Sequence, residues 1–456
     1  MTTQHADHRA AGLRAALAGR AILPDDPAYE TARLAWNRAA DQRPLAVATP
    51  ESIAEVADVV RAAARHGLRV APQSTGHAAG ALAGTDLSDV ILLSLARLRG
   101  VRIDPDSCTA TVSGGTLWRE VLEAAAPYGL TALHGSAGDI SVAGYLLHGG
   151  LSFYGRQHGL AVGAVRSAQL VTAQGDIVTA SHEENPELFW ALRGGAGGFG
   201  VVVELEIDLL PYADVFAGML LWDASKAADV IPAWAAWTRE APESVTTSLR
   251  VMHFPPLEEL PAFLRSRSVV VIDGAVLEQD DRAAALVRPL RGLGPEIDTF
   301  ERIPSADLVH MHMDPPEPTP AASAHAMIGG LPAEATGAFL AAAMEARPMI
   351  SEIRHVGAAF SRQPARPGAV SSLDGDYAMS AIQVIPAPHL APAATQATHA
   401  VVDALASWHA PSLAATFIDE PGAEPERIFG TCLTRLSDLK RRHDPNDMFA
   451  TAHPLA

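Results

Sequence analysis

Apolar residues recur along this chain with both helical and strand periods, and the order of these periods predicts an α+β fold. A short apolar run precedes the segment 53–66, in which apolar side chains recur at helical spacing. Ser52 and Glu55 have the spacing of a capping box, and Gly67 is placed to end the helix. A second short apolar run, 68–72, follows. This order predicts two parallel strands joined by a right-handed helical crossover.

The other segments before residue 211 predict mainly hairpins. Residues 101–114 and 164–180 show strand patterns on both sides of a polar turn, at 104–107 and at 174–176. Around these hairpins the pattern predicts a leader helix within 10–40, a helix over 116–129, a strand over 130–134, a helix over 186–193 and a strand over 201–210.

The pattern changes after about residue 212. Helical segments at 227–240 and 331–346 alternate with strands at 268–277 and 380–388, and proline-rich joints separate some of them. These segments predict a second α+β domain built on one antiparallel sheet. A last predicted helix, over 428–443, precedes the C-terminal tail.

Charge and composition exclude several classes of function. The chain has 34 Lys and Arg against 52 Asp and Glu, a net charge of −18, which argues against binding to nucleic acid. Its two cysteines exclude a disulfide framework and a Cys-rich metal site. The N-terminal residues lack the apolar core of a secretion signal, and no apolar run is long enough for a membrane span. We therefore expect a cytoplasmic protein that does not act at a membrane.

Two loops rich in small residues are the main candidates for binding an anion. The first loop (residues 71–80) and the second loop (residues 135–144) each follow a predicted strand, and their small side chains let backbone N–H groups approach a ligand. Together they could clamp a diphosphate without any lysine. The segment 195–200 matches the G-x-G-x-x-G fingerprint, but a helix precedes it and a strand follows. We therefore interpret it as a tight helix-to-strand connection.

Five motifs in a fixed order resemble the FAD-linked oxidases of the vanillyl-alcohol oxidase superfamily, in the berberine-bridge-enzyme-like branch. They are STGHAAG (74–80), GSAGDISVAGYLLHGG (135–150), RQHGLAVGAV (156–165), FWALRGGAGGFGVVV (189–203) and RLSDLKRRHDPNDMF (435–449). The resemblance implies a two-part FAD-binding domain of the p-cresol methylhydroxylase (PCMH) type and a separate α+β substrate domain on an antiparallel sheet. The expected boundaries are a helical leader at 1–42, the FAD-binding domain at 43–211, the substrate domain at 212–415 and a returning C-terminal segment at 416–456.

The resemblance also implies how FAD is held. His77 occupies the position of the histidine that bonds covalently to the flavin 8α-methyl carbon in the family, which raises the flavin reduction potential. Some members add a second link from a cysteine at the position of Ala137, so we expect one covalent bond at most. The expected cofactor-binding residues are Gln73, Ser74, Thr75, Gly76, His77, Ala78, Gly80, Ser136, Gly138, Asp139, Ser141, Val142, Gly144, Tyr145, Gly149, Val201 and His453.

Several positions depart from the family pattern. His148 and Ser152 replace glycines of a Gly-rich run, and Phe429 stands where some members use a tyrosine as catalytic base. Arg354 and His355 resemble a family stretch that packs in the substrate sheet, with a role in lining the cavity left open. The family's usual catalytic side chains are thus not all present.

The candidates for the catalytic base are, in order, Tyr377, His312 and His148. Tyr377 begins a predicted strand, and a buried structural role is an equal alternative. His310, His312 and Asp314 alternate as on one face of a strand. Such a set could bind a metal, but a flavin oxidase needs none, so we predict no metal site and keep a structural role as the alternative.

The resemblance predicts an FAD-dependent oxidase that takes hydride from a small natural-product-type alcohol, amine or activated C–H group to flavin N5. Dioxygen is the expected electron acceptor, and oxidative cyclisation in secondary metabolism is one form of this activity. The alternative is a protein that binds FAD without net oxidation, as a cyclase or a scaffold in a biosynthetic pathway. The expected partners are a small-molecule substrate and dioxygen, and the chain is expected to be a monomer or a homodimer.

Overall fold

The structure, a computed structural model, describes residues 12–17, 19–258, 260–315 and 317–455. Its strands form three sheets. In chain order the helices are α1 (residues 12–16), α2 (Tyr29–Ala32), α3 (Ile53–His66), α4 (Gly80–Ala83), α5 (Trp118–Ala125), α6 (Val142–Leu147), α7 (Gly155–His158), α8 (Pro186–Leu192), α9 (Ala227–Glu240), α10 (Asp280–Arg291), α11 (Ala333–Ala346), α12 (Ala391–Asp403), α13 (Pro425–Phe429) and α14 (Leu433–His443).

The first sheet carries the first loop. Its strands are β1 (Ala21–Ile22), β2 (Ala46–Ala48), β3 (Arg69–Gln73) and β4 (Val90–Ser94), in the order β1-β2-β4-β3. β2 and β3 both run parallel to β4, which lies between them, so the predicted crossover skips one strand. The C-terminal tail extends this sheet, because Val70 forms a parallel bridge with Phe449.

Helix α3 begins and ends where the sequence predicts. The Ser52 side chain accepts a hydrogen bond from the Glu55 N–H, and Gly67 ends the helix in the left-handed conformation with φ +61°. The Glu55 carboxylate accepts from the Glu51 N–H instead of Ser52, so the capping box is only half formed. The apolar face of α3, including Val56, packs against the first sheet.

The second sheet is antiparallel, with strands β5 (Val101–Asp104), β6 (Thr109–Ser113), β7 (Val165–Val171), β8 (Ile177–Ser181) and β9 (Val201–Asp208) in the order β5-β6-β9-β7-β8. Both predicted hairpins are present, with β5 paired to β6 and β7 paired to β8. The segment 195–200 connects α8 to β9, as its interpretation as a helix-to-strand connection requires.

The third sheet is a single antiparallel layer of eight strands, as predicted. They are β10 (Asp214–Asp223), β11 (Val245–His253), β12 (Ser268–Val276), β13 (Ile297–Asp298), β14 (Glu301–Pro304), β15 (Ala321–Ile328), β16 (Ile350–His355) and β17 (Tyr377–Val384). The order is β13-β10-β12-β11-β16-β17-β15, with β14 also paired to β10. Helices α9 to α12 cover one face and share an apolar core with it.

Four predicted elements are wrong. In the described part of the leader, helix is confined to 12–16 and Tyr29–Ala32, while residues 10, 11 and 18 lie outside the described residues. The strand predicted over 130–134 is a single bridge from Thr131 to Leu210. The helix predicted over 428–443 is broken at Gly430, which adopts φ +51°.

The fourth error is the strand predicted for His310, His312 and Asp314. Residues Ser305–His310 form a 3₁₀-helix, and Met313 adopts φ +57°, a left-handed conformation that ends any regular repeat. His310 is therefore exposed while His312 is buried, so the two rings do not share a face.

The α+β fold class is confirmed by these three sheets and their helices. The domain boundaries inferred at 42/43, 211/212 and 415/416 stay predictions. No helix in the described ranges combines the length and apolar character needed to cross a membrane.

Candidate functional site

The first and second loops meet at His77. The first loop leaves the end of β3, and the second loop leads into α6. The carboxylate Oδ1 of Asp139, in the second loop, lies 3.8 Å from His77 Nε2. The two loops singled out by their small residues therefore form the two sides of one site.

Both loops have the backbone groups that a diphosphate needs. Within the described residues, none of the N–H groups of residues 75–78 and 136–140 donates a hydrogen bond to a protein atom. Gly76 adopts φ +79°, and a Cβ there would lie 2.8 Å from the Ala35 Cβ, so only glycine fits. Free N–H groups along tight loops form an anion-binding surface, and these residues fit the diphosphate of a dinucleotide.

Besides Asp139, two residues contact the His77 ring. Trp36, in the leader, stacks on it with ring centroids 4.4 Å apart and an interplanar angle of 18°. The Thr75 hydroxyl lies 2.9 Å from His77 Nδ1. Burial lowers the pKa of His77 to about 4, against the opposing effect of Asp139 and Asp314. His77 is thus a neutral imidazole near pH 7.

The remaining predicted cofactor residues surround these loops. The Ser74 hydroxyl donates to the Gly114 carbonyl, and the Gly80 N–H donates to Asp419 Oδ1. Ser141 begins α6 by accepting from the Gly144 N–H, and Tyr145 packs edge-on against Trp118 with its hydroxyl buried. The other predicted residues lie in or next to these elements: Gln73 at the end of β3, Ala78 in the first loop, Ser136 and Gly138 in the second loop, Val142 at the start of α6, Gly149 after it and Val201 at the start of β9.

A cluster of charged side chains lies on the face of the third sheet opposite helices α9 to α12. Leu249 and Val251 pack under the helices, so Arg250 between them points to the opposite face. The same alternation puts Asp273 and Glu352 on that face. Each of these three charged residues is at most 2% exposed. We name Arg250, Asp273, His312, Asp314, Glu352 and Arg354 the charged cluster.

Asp273 is the centre of the charged cluster. Its carboxylate accepts hydrogen bonds from Ser248 Oγ, from Arg250 Nη2 at 2.6 Å and from His312 Nδ1 at 2.8 Å. Burial alone would raise the pKa of Asp273, but the Arg250 guanidinium and the His312 imidazole lower it far below its usual range. Asp273 therefore stays ionised and fixes His312 with the proton on Nδ1, because a carboxylate only accepts.

His312 Nε2 faces both a donor and an acceptor. Arg354 Nη2 lies 3.2 Å from it, and Glu352 Oε1 lies 3.3 Å from it. A neutral ring can accept from the guanidinium, and a protonated ring can donate to the carboxylate. His312 thus has a hydrogen-bond partner in either protonation state, which suits a group that takes up a proton and gives it back.

Asp314 joins the charged cluster to the second loop. Its Oδ2 accepts a hydrogen bond of 2.7 Å from the Ser136 hydroxyl, and its Oδ1 lies 3.9 Å from His312 Nε2. Burial raises the pKa of Asp314, but the charges of His312 and Arg354 lower it to a net value below the usual range. The structure therefore brings His312 and the predicted cofactor loops into one site.

His148 lies near the loops but in a different setting. Its Nδ1 bonds the Gly144 carbonyl at 2.7 Å, and its ring packs edge-on against His453 at 5.8 Å. Burial lowers the pKa of both rings, that of His453 to about 3. His453 Nε2 is buried with no hydrogen-bond partner among the described residues, so it is available to a bound group.

Tyr377 lies on the other face of the third sheet. Its hydroxyl bonds Thr238 Oγ1 in α9 at 2.8 Å, and its ring stacks on His355. His355 in turn bonds the buried Arg156 at 2.7 Å. Tyr377 therefore belongs to the core under the helices and is not brought to the site, while Arg354, one strand position from His355, is.

Sequence reasoning missed Trp36, Arg250 and Asp273. Arg250 and Asp273 each interrupt an otherwise apolar strand, SLRVM and VVVIDGAV, and a lone charge in such a run is a signal of a buried ion pair. No local pattern marks Trp36, because its partners are 41 and 103 residues away in the chain.

Comparison with known proteins agrees with this geometry. Residues 44–181 match the family FAD_binding_4, described as an FAD binding domain. The chain is similar to (R)-6-hydroxynicotine oxidase of Paenarthrobacter nicotinovorans, with 36% identity over 209 residues, which is 45% of each protein. The chain thus spans a little under half the length of that relative.

Two solved structures have the same fold over nearly the whole chain. The 6-hydroxy-D-nicotine oxidase of Arthrobacter nicotinovorans has a TM-score of 0.80 at 23% identity, covering 96% of this chain and 97% of that one. The berberine-bridge-enzyme-like 1 protein of Physcomitrella patens has a TM-score of 0.84 at 19% identity, covering 97% and 99%. These two structures share the fold that the five motifs predicted, and the FAD binding domain at residues 44–181 supports FAD as the cofactor.

Proposed function

We propose that this chain belongs to the berberine-bridge-enzyme-like branch of the vanillyl-alcohol oxidase superfamily and is an FAD-dependent oxidase. Its substrate is a small natural-product-type alcohol, amine or activated C–H compound, and dioxygen is its electron acceptor. The observation that carries the proposal is the buried Asp273–His312 pair, which the Ser136–Asp314 hydrogen bond joins to the second loop.

The two loops and the C-terminal segment would hold the cofactor. The N–H groups of residues 75–78 and 136–140 are free for the diphosphate, His77 is available for the covalent bond, and His453 Nε2 is an unpartnered buried polar atom. Bound FAD supplies the hydride acceptor at N5. The backbone N–H groups would bind the anion without help from lysine, since the chain has only Lys226 and Lys440, and Lys440 is paired with Asp444.

His312 is our choice for the base that takes the substrate proton. Asp273 accepts from Nδ1–H, so the lone pair is on Nε2, and a substrate O–H or N–H would take the place of Arg354 Nη2 there. When His312 becomes protonated, Glu352 Oε1 at 3.3 Å stabilises the imidazolium. Arg250 donates to the His312 carbonyl at 2.7 Å and to Asp273, so it fixes the whole unit in place.

The oxidase proposal is tested without knowing the substrate. The purified holoprotein is reduced with dithionite in the absence of oxygen and then mixed with air-saturated buffer. We expect rapid return of the flavin visible absorbance with formation of one hydrogen peroxide per flavin. Reoxidation no faster than that of free reduced FAD would contradict the assignment of dioxygen as acceptor.

Substrate candidates are then mixed with the oxidised protein in the absence of oxygen. 6-Hydroxynicotine is the first probe, because a relative with 36% identity is named for it. We expect lasting bleaching of the flavin with a substrate. Turnover of a compound that leaves the absorbance unchanged would instead support the alternative of a cyclase without net oxidation.

A further inference from the structure

We propose that Trp36 and Asp139 are positioning residues for His77: they hold its imidazole in the orientation in which it bonds to the flavin. The inference rests on the proposed function, because it takes FAD as the bound cofactor and His77 as the attachment residue. It goes further in assigning a role to Trp36, a residue of the leader that lies outside the FAD-binding domain.

The leader is docked on the first loop through its backbone. The Trp36 N–H donates to the Thr75 carbonyl at 2.9 Å, and Ala35 packs against Gly76 so closely that a Cβ on Gly76 would lie 3.0 Å from the Ala35 Cα. Asn37, the next residue, donates through its side chain to Asp419 and to the Ala321 carbonyl. These contacts fix the backbone at Trp36, so its ring has a defined place over His77.

Trp36 and Asp139 are also bonded to each other. The indole Nε1 donates to Asp139 Oδ2 at 2.5 Å, while Asp139 Oδ1 lies 3.8 Å from His77 Nε2. Trp36, Asp139 and Thr75 thus contact the face and both ring nitrogens of His77. Asp139 faces Nε2 and can take its proton, so the lone pair that bonds to the methyl carbon is the one on Nδ1, beside the Thr75 hydroxyl.

The attachment needs such a carboxylate and an oxidant. One C–H bond of the 8α-methyl group and the imidazole N–H bond are replaced by one C–N bond, which releases two protons and two electrons. Dioxygen accepts them and leaves as hydrogen peroxide. Burial favours the neutral imidazole at His77, which is the nucleophilic form. A ring already held in the reactive orientation loses less entropy on reaching the methyl carbon, so the bond forms faster.

The test measures covalent attachment separately from FAD binding. Each variant is purified, incubated in air with excess FAD, and sampled over time for flavin that stays with the polypeptide after acid denaturation and for total bound FAD. We expect Trp36→Leu to slow attachment about tenfold while total bound FAD stays near the wild-type level. Trp36→Phe, which keeps a stacking ring, should recover most of the rate, and Asp139→Asn should slow it as Trp36→Leu does.

Trp190→Leu is the matched control. Trp190 is also half-buried, but its ring packs under Arg435 and not on His77, so attachment should proceed at the wild-type rate. Equal attachment rates in Trp36→Leu and the wild type would overturn the inference, as would a loss of covalent flavin in strict proportion to total bound FAD. A wild type that holds FAD and reoxidises rapidly but never attaches it would overturn this inference and leave the proposed function standing.

Discussion

His310 and His312 are two residues apart, and only His312 has the contacts of a catalytic group. His310 is exposed, whereas His312 is 2% exposed and bonded to Asp273. We therefore expect His312→Gln to lower kcat/KM by about 10²- to 10⁴-fold, the usual contribution of a general base. The measurement is the rate of flavin bleaching by a substrate in the absence of oxygen.

His310→Gln is the control for this substitution, and it should bleach at the wild-type rate. The flavin content of both variants is checked first, because His312 lies 3.9 Å from Asp314, which accepts a hydrogen bond from Ser136 in the second loop. A His312→Gln variant that binds FAD and bleaches within threefold of the wild type would remove His312 as the base and direct attention to His148.

Tyr377 is expected to act only on stability. Tyr377→Phe removes one buried hydrogen bond, to Thr238, and leaves the Thr238 hydroxyl its second partner, the Ala235 carbonyl. The expected loss is about 1 kcal/mol in the free energy of unfolding, with bleaching rates unchanged. Urea unfolding and the bleaching assay, run on the same preparation, separate the two effects. A large loss of rate at full stability would restore Tyr377 as a catalytic candidate.

At the scale of elements, the sequence predicts correctly the helices and hairpins whose ends are set by neighbouring residues. Helix α3 follows from its apolar spacing with Ser52 and Gly67 at its ends, and the two hairpins follow from strand patterns around polar turns. Where several segments meet, the patterns fail. The segment with His312 has the alternation of a strand, yet it turns at Met313. His312 there contacts Asp273 and Glu352, which lie on β12 and β16.

The same limit applies to the site. The two loops and His77 are visible in the sequence because small residues and motif spacing are local features. The contacts of Trp36 with His77 and of Ser136 with Asp314 join segments 41 and 178 residues apart. Such pairs have no local signature, so the charged cluster and the leader contact emerge only from the packing of the three sheets.

The C-terminal element depends on one of the two lysines of the chain. Lys440 in α14 is 9% exposed and donates to the Gly198 and Phe449 carbonyls and to Asp444, which in turn accepts from the Met448 and Phe449 N–H groups. Lys440→Met would leave the Asp444 carboxylate buried without its cation. We expect a loss of about 3 kcal/mol or more in the free energy of unfolding.

Lys226→Met is the matched substitution, since Lys226 is exposed before α9 and should change stability by less than about 0.5 kcal/mol. Urea unfolding followed by tryptophan fluorescence measures both. Equal unfolding midpoints for the two variants would show that the Lys440 contacts do not stabilise the folded state.

For the whole molecule, Asp419 connects parts of the chain that are far apart in sequence. Its carboxylate accepts from the Gly80 N–H of the first loop and from Asn37 of the leader, while Asn37 also bonds the backbone of Ala321 in β15. Burial raises the pKa of Asp419 to about 6, against the lowering effect of these two donors. The connection between leader, first loop and third sheet therefore depends on pH.

The sign of this dependence follows from the raised pKa. Between about pH 4 and pH 6 the folded protein holds the Asp419 proton more tightly than the unfolded chain does, so the contribution of Asp419 to stability falls as the pH rises through this range. Above about pH 6 the carboxylate is ionised in both states and the contribution is constant. We expect the stability of the wild type relative to Asp419→Asn to decrease from pH 4 to pH 6 and then level off.

The measurement is the urea midpoint of the wild type and of Asp419→Asn at pH 4, 5, 6 and 7. Comparing the two proteins at each pH cancels the titration of other buried groups, including the histidines whose pKa values burial lowers. Asp25→Asn, at a carboxylate 79% exposed, is the control and should give a difference that does not change over this range. A wild-type advantage that grows between pH 4 and pH 6 would mean that the donors from Asn37 and Gly80 outweigh burial at Asp419.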